Sequence, residues 1–302
     1  ASNMVRKIFV TGATSGIGEA IAQAFQAEGA QVIATGATDL EVQNALKKPS
    51  NAGIDFRVLD VRDLSAVQAM VGALLELDVV VNCAGVIQRA IELEPEAFAR
   101  TVDINLNGTM RVCSAAREGL KARRGCIVNT ASMLSFFGGG LVPGYSASKG
   151  GVAQLTKSLA IAYADDGIRV NAVAPGIIKT PMHPADTHAA LSTLHPVGRM
   201  GEIRDIVVAA HLGGQRCTFE QAFQHVAIVM AAQPFDRTLN SRGVAHQLCQ
   251  HALAGALAQR HGLEGGLGHV LGPAKGTGLQ GLVNRRLCQR QGQRLDQGVG
   301  GR

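Results

Sequence analysis

The first two thirds of the chain alternate short apolar runs with longer stretches in which apolar residues recur at helical spacing. The first run, 7–10, leads through a glycine-rich turn to Ala20, Ile21, Ala24 and Phe25, which are spaced as on one face of a helix. The apolar runs are long enough for buried strands but too short for most helices. Repeated strand–helix units of this kind predict a parallel sheet with helices on both faces.

Six strands follow from this pattern, and each ends in small or polar residues. They are predicted over residues 7–10, 31–35, 56–61, 79–81, 126–130 and 169–174. The predicted fold is an α/β domain over residues 4–210, a doubly wound parallel sheet of the Rossmann type. Ligands of such sheets bind at the carboxyl ends of the strands, so candidate chemistry is expected there.

The turn after the first strand reads T-G-A-T-S-G-I-G at 11–18 and precedes a predicted helix. Glycines let the backbone turn sharply and approach a pyrophosphate, which the N–H groups at the start of the helix can bind. A tight turn without a ligand is the plainer alternative, and the place between strand and helix favours the ligand. The candidate cofactor-binding residues here are Gly12, Thr14, Ser15, Gly16, Ile17 and Gly18.

Residues 36–39 follow the second strand, at the position that determines in dinucleotide-binding folds whether NAD or NADP is bound. An acidic residue there binds the ribose hydroxyls of NAD, and a cation accommodates the extra phosphate of NADP. Neither stands at the expected position, and Asp39 either serves from further along or starts the next helix. NAD or NADP is therefore expected, with a slight preference for NAD. Asp60, beside Val61 at the end of the third strand, could bind the adenine amine.

Tyr145 and Lys149 are four residues apart, which on a helix places both side chains on one face. A phenol ordinarily titrates near pH 10. An ammonium about 4 Å away would favour the phenolate by roughly 4 kcal/mol at an effective dielectric of 20. The pair therefore predicts a tyrosine with a lowered pKa, suited to general acid–base catalysis. By itself this spacing is also common on helix surfaces.

Other polar residues follow the predicted strand ends or interrupt apolar stretches. Small residues after the fourth strand, at 82–85, permit a flat ligand to approach closely, or simply form a tight strand exit. Asn105 lies inside an apolar helical stretch, 98–120, where a buried amide needs hydrogen-bond partners. Packing support is therefore an alternative to catalysis for Asn105. Ser132 follows the fifth strand, thirteen residues before Tyr145.

Together these residues resemble the short-chain dehydrogenase/reductase family, in its ordinary rather than its extended branch. The shared features are T-G-A-T-S-G-I-G at 11–18, Asp60-Val61, N-C-A-G at 82–85, Asn105, Ser132, Tyr145-x-x-x-Lys149, and Pro175-Gly176 with Thr180. The resemblance implies an NAD(P)-dependent oxidoreductase that interconverts a secondary alcohol and a ketone by hydride transfer. One departure is Cys83, where the family usually has a second asparagine, and a residue of similar small size should be tolerated there.

The resemblance also implies roles for the catalytic residues. Tyr145 would exchange a proton with the substrate oxygen, and Ser132 would hold and polarise that oxygen. Lys149 would lower the pKa of Tyr145 and hold the nicotinamide ribose, and Asn105 would anchor a water in a proton relay. The cofactor would further contact Asn82, Ala84, Gly85, Pro175, Gly176, Ile178 and Thr180.

Charge and composition change after residue 210. Residues 1–202 carry 18 basic and 18 acidic side chains, so the whole net charge of +6 lies in the remaining hundred residues. The region 211–302 is rich in Gly, Gln, Arg and His, and it lacks the V-T-G…D-G-G segment with which the family usually forms its last strand. We therefore expect an irregular extension without that strand.

One hypothesis for the extension is an out-of-frame or wrong-strand reading of a GC-rich gene, which sequencing through codon 210 would test. A basic tail that binds nucleic acid is the rival hypothesis. It is disfavoured because the aromatic residues available for stacking, Phe219, Phe223 and Phe235, all lie early in the region. No nucleic-acid partner is expected.

The remaining composition excludes several classes of protein. The six cysteines form no C-x-x-C pair, and the histidines show no H-E-x-x-H spacing, so neither a disulfide framework nor a metal site is expected. No apolar run reaches the roughly 18 residues of a membrane span, and no signal peptide is recognised. We expect a cytoplasmic homodimer or homotetramer, unless the altered C-terminal region prevents assembly. A cofactor-binding protein without turnover is the alternative to an enzyme.

Overall fold

The structure, a computed structural model, describes residues 5–181, 183–193, 198–214 and 228–229. It confirms the predicted Rossmann-like α/β fold. The strands are β1 (Lys7–Thr11), β2 (Gln31–Gly36), β3 (Asp55–Val58), β4 (Val79–Asn82), β5 (Cys126–Thr130), β6 (Arg169–Val173) and β7 (Ile228–Val229). All neighbouring strands pair in parallel, in the order β3-β2-β1-β4-β5-β6-β7.

Helices connect the strands and cover both faces of the sheet. They are α1 (Gly16–Ala27), α2 (Asp39–Leu46), α3 (Leu64–Val71), α4 (Pro95–Val102), α5 (Gly108–Ala115), α6 (Arg117–Arg123), α7 (Pro143–Ala162), α8 (His188–Thr193) and α9 (Ile203–Gly214). A π-helical turn, Asp103–Asn107, joins α4 to α5. Short 3-10 turns lie at Pro49–Asn51, Ile91–Leu93, Met133–Ser135 and Ala185–Thr187. Among the described residues, no helix has the length and apolarity needed to cross a bilayer.

The central strands are apolar on both sides because each side faces a layer of helices. In β1, Ile8 and Val10 pack with residues of α1 and α9, and Phe9 between them packs with residues of α3, α5 and α6. All three side chains are fully buried. This two-sided burial explains why the strands read as continuous apolar runs rather than as alternating patterns.

The strand order reverses between β1 and β4, which creates a crevice at the carboxyl edge of the sheet. Thr11 pairs with Asn82 across this junction. The Thr11 hydroxyl accepts hydrogen bonds from the backbone N–H of Cys83 at 3.2 Å and of Ala84 at 3.1 Å. The glycine-rich turn after β1 and the segment after β4 are thereby held side by side.

The last strand differs from the prediction that none follows residue 210. In β7, Ile228 pairs with Ala172 and Val229 with Val173 at the edge of the sheet. Residues 226–230 read V-A-I-V-M, a short apolar run suited to a buried strand, although it lacks the V-T-G…D-G-G ending. The rest of the predicted irregular extension, 215–227 and 230–302, lies outside the described residues.

Candidate active site

Two glycines of the turn after β1 are required by close backbone contacts. Gly12 has φ +61°, and a Cβ built on it would lie 2.6 Å from the backbone of Ala84. A Cβ on Gly18 would lie 2.3 Å from the carbonyl oxygen of Gly12. Gly16 also has a positive φ, +59°, but faces open space. The turn is therefore compact against the segment after β4, and its outer side is open to a ligand.

Helix α1 begins directly after this turn with its first N–H groups directed to the crevice. Ser15 is the N-cap residue, and its side chain makes no capping hydrogen bond. The first N–H groups of a helix lack carbonyl partners within the helix, and together with the helix dipole they favour an anion. Thr14, Gly16 and Ile17 complete the predicted set at this position. The arrangement fits a pyrophosphate, as the glycine spacing suggested.

The end of β2 carries a carboxylate that the sequence analysis missed. Glu41 Oε2 accepts a hydrogen bond from Ala37 N at 2.7 Å, and it lies 3.1 Å from where a Cβ on Gly36 would be. Glu41 turns back because Thr38 caps α2 and Glu41 is the third helical residue. The T-x-x-E spacing of a capping box could have identified it. Asp39, the acid considered from the sequence, is the first residue of α2.

Asp60 lies after β3 and already has a partner. Its carboxylate accepts hydrogen bonds from the Arg62 guanidinium, with Arg62 Nε 3.0 Å from each oxygen, and from Arg62 N at 2.9 Å. The hydrogen bond from the Arg62 side chain is the main cause of the lowered pKa of Asp60. The neighbouring Val61 is buried against Gly108, where a Cβ would lie 2.5 Å from Val61 Cγ2. Any bond from Asp60 to an adenine amine would share these oxygens.

The segment after β4 leaves space in front of two predicted catalytic side chains. A Cβ on Gly85 would lie 3.2 Å from Asn105 Oδ1 and 3.6 Å from Lys149 Nζ. Asn82 points into the sheet instead, where its amide nitrogen donates to Asn129 Oδ1 at 2.9 Å. Asn82 is buried and Ala84 lies beside Gly12, so both shape the crevice.

Asn105 lies in the π-helical turn that interrupts the helix predicted over 98–120. Its amide is fully buried, accepts from Val86 N at 2.8 Å, and donates to Val86 O at 2.9 Å. It also donates to the Ser148 hydroxyl at 3.0 Å, and Ser148 donates to Tyr145 O at 2.8 Å. π-Helical turns are frequent at functional sites. The amide thus connects the segment after β4 to the helix that carries Tyr145.

Ser132 and Lys149 are linked through Ser135, which no motif indicated. The Ser135 hydroxyl accepts from Ser132 N at 3.1 Å and donates to Lys149 O at 2.7 Å. The Ser132 hydroxyl accepts from Leu134 N at 3.2 Å, and its hydrogen bonding to the phenol acts to lower the pKa of Tyr145. Ser132 is therefore fixed between the end of β5 and helix α7.

Tyr145 and Lys149 lie on one face of α7, with the ammonium 5.6 Å from the centroid of the phenol ring. Lys149 is buried and donates to Thr130 O at 2.6 Å. Burial lowers the pKa of Lys149 to about 8. The predicted lowering of the Tyr145 pKa is not seen. Burial raises the pKa of Tyr145, a hydrogen bond from Ser132 opposes this rise, and the charge of Glu92 adds to it.

The end of β6 supplies the last group of predicted residues. Pro175 O accepts a hydrogen bond from Met133 N at 2.9 Å, which joins this segment to the turn after β5. Ile178 is buried and forms an isolated bridge with Gly201. Gly176 and Thr180 are partly exposed along the same segment. The segment therefore closes the crevice on the side opposite the glycine-rich turn.

The structure thus brings a phenol, a hydroxyl and an ammonium together beside a crevice suited to a dinucleotide. Such a set can move a proton to or from a substrate oxygen while another group accepts or donates hydride. Three buried or partly buried positions missed from the sequence support it: Glu92, Ser135 and Ser148.

Comparison with known proteins gives matches over the same part of the chain. The family model described as short chain dehydrogenase matches residues 6–190. Cis-4-hydroxycyclohexanecarboxylate dehydrogenase of Sinomonas cyclohexanicum is 38% identical over 231 residues, which cover 71% of this chain and 91% of that protein. 3α-Hydroxysteroid dehydrogenase of Mediterraneibacter gnavus is 38% identical over 214 residues, which cover 66% of this chain and 86% of that protein.

Solved structures agree with this match. ElxO with NADP bound is 27% identical, with a TM-score of 0.68 over 76% of this chain and 98% of that one. A variant of actinorhodin polyketide ketoreductase with NADPH is 31% identical, with a TM-score of 0.64 over 69% of this chain and 90% of that one. Both neighbours hold the phosphorylated cofactor, so they lend no support to the slight preference for NAD.

Proposed function

This chain belongs to the short-chain dehydrogenase family and is an oxidoreductase, and from this premise we propose that it interconverts a secondary alcohol and a ketone with Tyr145 as general acid and base. The observation that carries the proposal is the meeting of three side chains at the carboxyl edge of the sheet. Ser132 is held by Ser135 and Leu134 at the end of β5 and acts to lower the pKa of the phenol, and the Lys149 ammonium lies 5.6 Å from the ring centroid.

The crevice fits a nicotinamide dinucleotide, which when bound supplies the hydride donor or acceptor. Gly12 and Gly18 let the turn pack closely against the neighbouring backbone, and Gly16 faces open space in which a pyrophosphate could lie. The start of α1 offers N–H groups to it. Gly85 leaves the space next to Asn105 and Lys149 open. The other residues proposed to contact the cofactor are Thr14, Ser15, Gly16, Ile17, Asp60, Val61, Asn82, Ala84, Pro175, Gly176, Ile178 and Thr180.

The raised pKa of Tyr145 favours the protonated phenol near pH 7, the form that ketone reduction requires. In that direction Tyr145 gives its proton to the substrate oxygen, and Ser132 donates a hydrogen bond to the same oxygen. Leu134 N holds the Ser132 oxygen, and the hydroxyl proton, which opposes the rise of the Tyr145 pKa in the free protein, would turn to the substrate oxygen. In the reverse direction the phenolate accepts the alcohol proton, so we expect the rate of alcohol oxidation to increase as pH rises.

Proton supply to Tyr145 is proposed to pass by Lys149 and a water at Asn105. The Asn105 side-chain amide donates to Val86 and Ser148, so its backbone carbonyl is the better candidate to hold the water. This carbonyl already accepts the Thr109 hydroxyl at 2.8 Å, and a carbonyl oxygen can accept a second hydrogen bond. This carbonyl lies in the π-helical turn, whose hydrogen bonding departs from that of a regular α-helix.

Two observations bear on the form of the cofactor and point in opposite directions. The Glu41 carboxylate at the end of β2 would bind ribose hydroxyls and repel a phosphate, which favours NAD. The solved neighbours bind NADP or NADPH, which favours NADP. Titration of the protein with NADH and NADPH in parallel, followed by cofactor fluorescence, decides between them.

Cyclic secondary alcohols are the first substrates to test. The relatives named above act on a hydroxycyclohexane carboxylate and on a hydroxysteroid, both ring alcohols. The loop between Ser132 and Tyr145 exposes Phe136, Phe137 and Leu141 by 48%, 61% and 46%, an apolar surface suited to a ring. A self-associating, cytoplasmic enzyme remains our expectation, and light scattering of the purified chain tests the first part.

The decisive experiment is a screen of cyclic and linear alcohols and ketones at the nicotinamide absorbance band, with a Tyr145→Phe variant in parallel. We expect turnover by the wild-type chain and a loss of roughly 10²- to 10⁴-fold in the variant, the usual contribution of a general acid or base. Cofactor affinity should change little. Full activity in the variant would contradict the role of Tyr145. Cofactor binding without turnover over the whole panel would favour the alternative, a binding protein.

A further inference from the structure

Glu92 is a buried carboxylate that the proposed reaction does not use. It lies in the 3-10 turn before α4 and is 1% exposed. A buried carboxylate requires hydrogen bonds or a counter-charge. Oε1 accepts from Gln88 N at 2.7 Å and from the Thr101 hydroxyl at 3.4 Å, and Oε2 accepts from Tyr145 N at 2.7 Å.

The bond to Tyr145 ties this carboxylate to the helix of the active site. Pro143 begins α7, so the backbone N–H of Tyr145 belongs to the first turn and has no carbonyl partner within the helix. A carboxylate in this position also interacts favourably with the helix dipole. Gly144 makes the approach possible, because a Cβ there would lie 3.3 Å from Glu92 Oε2 and 3.2 Å from Phe98 Cα.

The segment that carries Glu92 is fixed to the start of α7 at a second point. Ala90 N donates to Leu141 O at 2.8 Å, just before the helix begins. Ala90 has φ 64°, a left-handed conformation that residues with a side chain rarely adopt. The turn is therefore held in an unusual backbone conformation that presents the Glu92 carboxylate to Tyr145.

From these contacts we propose that Glu92 is a positioning residue for Tyr145, which fixes the backbone of the phenol-bearing residue and places a negative charge at the start of its helix. The inference rests on the proposed function. The effect of the Glu92 charge on the phenol agrees with this role, since the charge contributes to the raised pKa of Tyr145 after the larger effect of burial.

Apart from Lys149, the other charges around α7 are less well placed to act on the phenol. Lys149, on the same helix, is the buried cation, and the nearby Cys83 thiol has its pKa raised by burial and is neutral. The remaining titratable groups on the described elements packed against α7 are exposed, ion-paired or at the amino edge of the sheet: Glu94, Glu96, Arg100, Asp103, Cys126 and Arg169. Among the described residues on and around α7, Glu92 and Lys149 are thus the buried groups of opposite charge.

The test compares Glu92→Gln with Glu94→Gln, a matched change at an exposed acid two residues away. The amide can accept a hydrogen bond at only one end, so either Gln88 N or Tyr145 N loses its partner. We expect kcat to fall about tenfold in Glu92→Gln. The pKa of Tyr145 in the pH profile of kcat/KM should move to lower pH, while cofactor affinity stays unchanged. Glu94→Gln should behave as wild type in all three measurements.

Wild-type kcat, or a reduced kcat with an unmoved pH profile, would overturn the inference, since a merely structural residue would not set the profile. If Glu92→Gln does not fold, Glu92→Asp decides: it keeps the charge but shortens the reach. A lowered kcat with the pKa of Tyr145 moved to lower pH, because the charge lies further from the phenol, supports the proposal; wild-type kcat or an unmoved pH profile refutes it. Tyr145→Phe in parallel separates the two levels, because full activity there overturns the proposed function and this inference with it.

Discussion

The two halves of the carboxyl edge of the sheet differ in whether backbone atoms or side-chain atoms form the surface of the crevice. Around β1 the surface is backbone, and its shape depends on missing side chains: a Cβ on Gly12 or Gly18 would lie 2.6 Å or 2.3 Å from backbone atoms. Around β5 and α7 the surface is side chains, and Ser132 and Lys149 are held by buried hydrogen bonds. We call these the backbone half and the side-chain half.

In the proposed function the two halves have different tasks, and the difference between them follows from this. An anion can be bound by N–H groups and a helix dipole, which every residue supplies, so the backbone half needs mainly conformational freedom and space. A proton is exchanged only by a group whose pKa is controlled, so the side-chain half needs particular residues in particular surroundings. The backbone half should therefore be sensitive to added atoms, and the side-chain half to removed ones.

The largest expected effect is that of Lys149→Met in the side-chain half. Activity should fall by roughly 10²- to 10⁴-fold because the cation beside the phenol is lost. Stability should nevertheless rise at pH 7, because burial lowers the pKa of Lys149 to about 8 and so disfavours the charged form in the folded chain. Replacement of such a buried charge by an apolar group stabilises by about 1–2 kcal/mol, or several degrees in Tm.

The expected gain in stability of Lys149→Met over the wild type should become smaller as pH rises. Below pH 8 the ammonium is charged in both the folded and unfolded chain, and the cost of burying it is complete. Above pH 8 the folded chain releases the proton before the unfolded chain does, so wild-type stability rises toward pH 10 and the gain of the variant narrows. Thermal melts at pH 7 and pH 9.5 measure this, with Lys157→Met, an exposed lysine of α7, as control. A lower Tm for Lys149→Met at pH 7 would show that the buried charge stabilises the fold.

In the backbone half, Gly12→Ala should have the next largest effect. The added Cβ would meet Ala84 at 2.6 Å in a residue with φ +61°, so either the turn or the segment after β4 must shift. Overpacking of this kind costs about 1–3 kcal/mol, to which the left-handed backbone adds about 1 kcal/mol. We expect cofactor affinity to fall by about a hundredfold in a fluorescence titration, roughly 3 kcal/mol.

Gly138→Ala is the matched control, because that glycine has open space around it and no positive φ. It should bind cofactor as the wild type does. Equal binding by Gly12→Ala and Gly138→Ala would mean that close backbone approach is not what forms this half.

The two halves also differ in how well the sequence predicts them. Glycine requirements are local, so the spacing at 11–18 was sufficient to place a compact glycine-rich turn between β1 and α1. Of the six strands from 7–10 to 169–174, all but β3 were likewise readable because they are buried on both faces along most of their length; β3 carries Asp55 and Arg57. The strand β7 was not, since its two residues belong to a single run of seven apolar residues, 226–232, in a region without a clear pattern.

The side-chain half was predicted in its members but not in its supports. Tyr145, Ser132 and Lys149 carry motifs, whereas Glu92 reaches Tyr145 across 53 positions of the chain, a contact that no spacing rule indicates. The predicted lowering of the Tyr145 pKa was wrong because the prediction took no account of burial. The four-residue spacing gives the distance to Lys149 but not the burial, and burial has the larger effect on this phenol.

The smallest expected effect, and the sharpest test of the comparison, is that of Ser135→Ala. The hydroxyl of Ser135 joins Ser132 N to Lys149 O, so its removal leaves the Ser132 N–H without this partner. An unpaired, partly buried donor costs about 1 kcal/mol, which corresponds to roughly a fivefold loss in kcat if Ser132 is displaced from the substrate oxygen. Steady-state kinetics measure this, and cofactor affinity should stay unchanged because the backbone half is untouched.

Ser65→Ala, at an exposed position of α3, is the control and should leave kcat unchanged. The comparison predicts that Ser135→Ala lowers kcat without lowering cofactor affinity, whereas Gly12→Ala lowers cofactor affinity first. If Ser135→Ala also kept the wild-type kcat, packing of α7 against β5 alone would hold Ser132 and Lys149 in place. The side-chain half would then depend on shape, as the backbone half does, and the distinction between them would be lost.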